Sequence, residues 1–202
     1  MHGRSIALIG GDLALDFANT VGWRAGEDRI EHLPEYAEFV LWAARAGAAT
    51  AARAAALQRE AQRHPSRAGR ALAQALRLRE TVFRVFGAVA QRRTPPAPDL
   101  LQLHRARVDA LRKADPRWSG TGIALEWPDE PADLLRPLYP IVLAADALLV
   151  SPRLARVRQC GNHPCGWLFV DTSRNGTRRW CSAEECGNIT RVRRYRSRRH
   201  QK

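Results

Sequence analysis

Four cysteines stand in the last quarter of this chain and nowhere else: Cys160, Cys165, Cys181 and Cys186. They form two pairs with the same internal gap, C-G-N-H-P-C and C-S-A-E-E-C, joined by a short polar segment. Two such pairs supply the four corners of a tetrahedral Zn²⁺ site, each pair bending around one edge of the metal. Four protein sulfurs leave no position open for water, so the expected cofactor is one structural Zn²⁺ and not a catalytic one. His163, inside the first pair, and His200 are the other donors nearby, and four well-spaced thiols leave them surplus. The binding free energy of such a site is largely folding free energy, on the order of 10 kcal/mol or more. Chelation should therefore unfold the unit that contains it.

The elements that must hold these sulfurs can be read around them. Gly166–Val170 is an apolar run that predicts a strand, and residues 171–176 have turn composition. Arg178–Trp180 is expected to return as a second strand into Cys181. From Ala183 the pattern is helical, with Ile189, Val192 and Tyr195 facing the hairpin and Arg191, Arg194 and Arg198 on another face. Knuckle, hairpin and a second knuckle at a helix start make a treble-clef-like order. Trp167 and Trp180 are expected in its core. Arg193, Arg196 and Arg199 flank the basic face, and Arg174, Arg178 and Arg179 extend it from the hairpin. These nine arginines are the candidate nucleic-acid-binding residues.

The charge balance agrees. The chain carries +13 over 202 residues, with a pI near 11.1. From Arg153 onward there are 13 Arg and Lys against three acids (Asp171, Glu184 and Glu185), so this quarter alone holds +10. Four thiolates around Zn²⁺ lower that by two and leave about +8. An excess of this size favours a polyanion, most often nucleic acid. The first 152 residues carry only +3. The apolar run Ile6–Phe17 is broken by glycines and aspartates, and Leu138–Val150 is too short to span a bilayer. A cytoplasmic protein with no membrane partner is expected, in a compartment whose reduced thiols favour zinc over disulfides.

The remainder predicts a mostly helical N-terminal domain, residues 1–152, ahead of a finger domain, 153–202: an α+β protein in which helices dominate. Gly10-Gly11-Asp12 is a turn signal, and the alternation of Leu13, Leu15 and Phe17 predicts a short strand. Helices are expected from Pro34 to Ala46, Thr50 to His64, Ser66 to Arg92, Asp99 to Ala114 and Ala132 to Leu149. In the fourth, Leu103, Val108 and Leu111 should point inward. Gly120–Trp127 alternates as a strand does. Asp16, Asn19 and Arg24 form a mixed polar set beside Phe17 and Trp23. They are candidates for a small-molecule effector pocket, or simply bond local backbone. No nucleophile–base or paired-carboxylate arrangement stands out, so no catalytic residue is assigned and an enzyme is not expected.

The string C-G-N-H-P-C-G-W-L-F-V-D-T-S-R-N-G-T-R-R-W-C-S-A-E-E-C-G-N resembles the CGNR zinc finger. The N-terminal string G-G-D-L-A-L-D-F-A-N-T-V-G-W-R resembles the start of the ABATE domain that usually precedes it. The resemblance implies a bacterial stress-induced transcription regulator, with a zinc-dependent DNA-binding C-terminus on an N-terminal regulatory domain. One departure stands out. The family's C-G-N-R reads Cys186-Gly187-Asn188-Ile189 here, and its lysine two positions on is Arg191. No zinc ligand is touched, but one basic contact is replaced by an apolar side chain.

The leading expectation is a DNA-binding transcription regulator whose N-terminal domain senses a signal or forms a homodimer. The alternatives are a zinc-scaffolded module that binds an acidic protein or RNA, and an enzyme with its site around Asp16, Asn19 and Arg24.

Overall fold

In the computed structural model, residues 6–128, 130 and 132–200 are described, without the side chains of residues 194, 195 and 198–200. Seven α-helices and three two-stranded antiparallel pairs make up the regular structure of the described residues.

The chain opens on a helix, α1 (Leu13–Ala18), where the alternation predicted a strand. Asp12 decides this. Its carboxylate accepts a hydrogen bond from the Ala14 amide, the bond that satisfies an orphan donor at a helix start. The alternation was only five residues long, and Ala14, Leu15, Phe17 and Ala18 are all buried, so the helix is enclosed rather than two-faced. The strands β1 (Val21–Gly22) and β2 (Ile30–Glu31) follow as a minimal pair.

Helix α2 (Tyr36–Arg45) ends before Gly47, which takes the left-handed conformation (φ +78°) that stops helices. Helix α3 (Ala51–Arg63) forms where the sequence predicts and is capped by the Thr50 hydroxyl, and α4 (Pro65–Ala90) starts on its proline. Helix α4 is the spine of the molecule and packs against α1, α2 and α3.

Helix α5 (Ala97–Arg112) also packs on α4, and Leu103 is buried. Val108 and Leu111, expected inward, are exposed. The buried face runs instead through Asp99, Leu103 and Ala110, and Asp99 is held by Arg84 at 2.6 Å. A hairpin follows, β3 (Asp115–Trp118) with β4 (Ile123–Glu126), of which only the second strand carried a pattern. Helix α6 (Leu138–Leu149) begins six residues later than predicted. Pro137 disfavours helix at the residue before it, and Pro140 fits in the first turn, where no amide bond is lost.

A 3-10 turn (Pro152–Arg156) leads into β5 (Val157–Gln159), which pairs with β6 (Leu168–Val170). The strand predicted over Arg178–Trp180 does not form. Its place beside Leu168–Val170 is taken by the upstream segment. The Arg178 side chain instead donates to the carbonyls of Trp180 and Cys181 and lies 4.3 Å over the Phe169 ring. A π-helical turn (Ala183–Gly187) then enters α7 (Asn188–His200).

One core runs through both parts of the chain. Val157, Leu168 and Val170 from the β5–β6 hairpin are buried in the same cluster as Leu15, Phe17, Phe39, Val82, Phe86 and Ile141. The cysteines form a second, smaller cluster with Phe169, walled by Ile9, Trp23, Trp167 and Trp180.

Candidate metal centre and nucleic-acid interface

Cys160 follows β5, Cys165 precedes β6, Cys181 ends the polar loop and Cys186 lies in the π-helical turn before α7. All four are buried, none is in a disulfide, and their sulfurs lie within 4.8 Å of one another. The Cys165–Cys181 and Cys181–Cys186 sulfurs are each 3.6 Å apart. Zn–S bonds of about 2.3 Å in a tetrahedron require sulfur separations of about 3.8 Å, so the donor set fits this ion.

The surroundings fit thiolates. The Cys181 amide donates to the Cys160 sulfur at 3.4 Å, and the Asn162 amide nitrogen donates to the Cys186 sulfur at 3.4 Å. Hydrogen bonds from Cys165, Cys181 and Cys186 hold the Cys160 thiol below its ordinary pKa. The Cys165 and Cys181 thiols are pushed up, chiefly by Cys160. Four crowded sulfurs therefore do not all ionise together without a cation among them, and a divalent ion supplies that charge. The module holds one structural zinc. His163 is exposed and outside the cluster, and the His200 side chain lies outside the described residues.

The metal centre is built onto the N-terminal segment. The Arg24 and Ala25 amides donate to the carbonyls of Cys165 and Pro164 at 3.1 and 3.3 Å, inside the first knuckle. Gly166 takes a positive φ (+70°) that favours glycine, and an added Cβ would crowd the Arg24 Cβ at 3.2 Å. The Trp167 indole donates to the Val21 carbonyl at 2.7 Å, and the Val170 amide to the Gly10 carbonyl at 2.8 Å.

Asn19 is fully buried and clasps β6 from both sides. Its amide nitrogen donates to the Leu168 carbonyl and its oxygen accepts from the Leu168 amide, both at 2.8 Å. Asp16 accepts from the Gly10 amide at 2.8 Å. Burial pushes its carboxyl up to about 6. Arg24 pairs with Glu80 at 2.5 Å, donates to the Ala18 carbonyl and stacks 3.9 Å over Phe83. Asn19 and Arg24 thus tie the N-terminal segment to the zinc hairpin and to α4, and Asp16 holds Gly10, whose carbonyl accepts from the Val170 amide.

Sequence reasoning missed Arg79 and Glu80 on α4. Arg79 is 2% exposed, yet bidentate to Glu31 at 2.6 Å on both nitrogens and within 3.1 Å of Glu80. Burial raises the Glu80 carboxyl pKa, but the hydrogen bonds and charges of Arg24 and Arg79 together outweigh it, so Glu80 sits below the ordinary range. A signal was present: Arg79 falls on the apolar stripe of Ala75, Leu78, Val82 and Phe86, where a cation needs a buried partner.

The candidate nucleic-acid residues whose side chains are described divide into two groups. Arg174, Arg179, Arg191, Arg193 and Arg196 are exposed. Arg179 lies 5.6 Å over Trp180, and Arg193 reaches Asn162 at 3.5 Å. Arg178 is tied into the fold by the bonds given above. The side chains of Arg194, Arg198 and Arg199 lie outside the described residues, as does that of Tyr195. Val192, expected against the hairpin, is 41% exposed. Beneath the turn, Asp171 accepts from the Ser173 amide and hydroxyl and from the Arg178 amide, which fixes the loop that carries Arg174.

Among the described residues, no helix is long and apolar enough to cross a membrane. A comparison with curated proteins finds no match. Family models match in two places: the CGNR zinc finger over residues 156–199, and the family described as "Putative stress-induced transcription regulator", ABATE, over residues 11–152. With its buried four-sulfur centre and these two adjoining matches, the chain belongs to the ABATE family and carries a CGNR zinc finger at its C-terminal end.

Proposed function

We propose that this protein is a zinc-dependent DNA-binding transcription regulator. The zinc centre is a scaffold, the exposed arginines of α7 and of the preceding loop contact phosphates, and the N-terminal domain receives the signal without catalysing a reaction. The observation that carries the reading is the set of exposed arginines, Arg174, Arg179, Arg191, Arg193 and Arg196, on elements joined directly to the metal ligands. A metal-fixed helix start is a rigid base for a basic helix, which can lie in a major groove or along the backbone. The family description supplies the regulatory setting and its link to stress.

The test is duplex DNA binding by the zinc-loaded full-length chain as a function of salt. Neutralising Z phosphates gives a log–log slope of about −0.9Z, so five contacts predict a slope near −4 to −5. A slope near zero would sink the reading. Preference for an RNA competitor over the duplex would move the partner to RNA.

A further inference from the structure

A cleft of about 500 Å³ lies between α4, α5 and α6. That volume is in the range of small-molecule sites. Its lining is divided by chemistry. Leu78, Leu138 and Val142 form an apolar floor, all three at most 5% exposed, and Tyr139 lies beside them.

Four cations stand at its edge: Arg77 from α4 and Arg105, Arg112 and Lys113 from α5 and its end. The one acid in the lining is Asp109. Lys113 is neutralised by Asp133 at 3.0 Å and bonded to the Tyr139 hydroxyl at 2.5 Å. Among the described residues, Arg77, Arg105 and Arg112 are in no ion pair, although Arg84 and Arg107 nearby each have a carboxylate. The cleft therefore combines greasy walls with unneutralised positive charge from two helices.

We propose that this cleft binds a small organic anion with an apolar body, a carboxylate or a phosphate monoester, its charged end between Arg105, Arg112 and Arg77 and its hydrocarbon on Leu78, Leu138 and Val142. Neither half suffices. The arginines alone hold an exposed anion weakly in water, and each buried methylene adds about 0.8 kcal/mol. The site would give the proposed regulator a signal input, but the binding itself does not depend on that reading. The cleft wall is also mechanically close to the finger. Arg77 and Leu78 lie two or three residues before Glu80, which pairs with Arg24 beside the first knuckle, and α6 leads through the 3-10 turn into β5.

Calorimetric titration of the zinc-loaded full-length chain, without DNA, tests it with four probes: decanoate, decanol, decylammonium and acetate. Decanoate should bind at least tenfold more tightly than each of the others. The exposed double substitution Arg105→Glu/Arg112→Glu should weaken decanoate at least tenfold with an unchanged melting temperature. Arg77→Glu, on the facing wall, is the second variant and should weaken it in the same direction. Equal binding of decanoate and decanol, indifference to these charge reversals, or no decanoate binding up to about 1 mM, a standard free energy of about −4 kcal/mol, would each overturn the proposal. Salt-dependent duplex binding is a separate measurement, so failure of either reading leaves the other readable.

Discussion

Asn19 shows how much one side chain can hold. Both ends of its amide pair with the backbone of Leu168, 149 residues away, in a fully buried setting. Asn19→Ala would leave a buried amide and a buried carbonyl unpaired, each costing about 1–3 kcal/mol. A loss of about 3 kcal/mol in denaturant unfolding of the zinc-loaded protein is expected. Asp16 makes a second prediction, in pH. Its folded pKa is raised from 3.8 to about 6, so the native state binds more protons than the unfolded chain between those values. Its contribution to stability therefore falls as pH rises from about 4 to 6. Asp16→Asn keeps an oxygen for the Gly10 amide and removes that slope. The difference in melting temperature between the two proteins should grow across this window in favour of the variant, then level off.

At the scale of elements, the finger's arginines are not equivalent. Arg178 bonds two carbonyls beside the metal and covers Phe169, so Arg178→Ala should lower the melting temperature. Arg191→Ala and Arg196→Ala, exposed on α7, should leave it unchanged. Each should instead reduce the salt slope of duplex binding by about one. Equal effects of all three on both measurements would contradict this division. The sequence does not separate them, because a guanidinium in a basic run looks the same whether it faces water or a carbonyl. The helices α2, α3 and α4 were legible because cap residues and breakers act locally: Thr50, Pro65 and Gly47 mark their ends. The β5–β6 pairing was not, since R-V-R-Q carries one apolar residue and its partner strand lies beyond the first knuckle.

Over the whole molecule, the finger and the N-terminal domain share backbone hydrogen bonds and a core. Removing zinc should therefore disturb more than the last quarter of the chain. Hydrogen exchange after chelation should show lost protection at the Arg24, Ala25 and Val170 amides as well as around the cysteines, while the middle of α3, which carries none of these bonds, stays protected. Loss confined to residues after 159 would show instead that the finger unfolds alone. The metal centre itself was determined by the sequence. Thiol chemistry and equal spacing specify a tetrahedral site whatever surrounds it, and the basic excess follows from composition alone. Tertiary structure decided where that centre is anchored. Asn19, Arg24 and Asp16 read as a candidate pocket because polar residues near one another in sequence carry no sign of a partner 149 residues distant. Only the folded chain brings Leu168, Cys165 and Glu80 to them, and only the packing of α4, α5 and α6 gathers Arg77, Arg105 and Arg112 around an apolar floor.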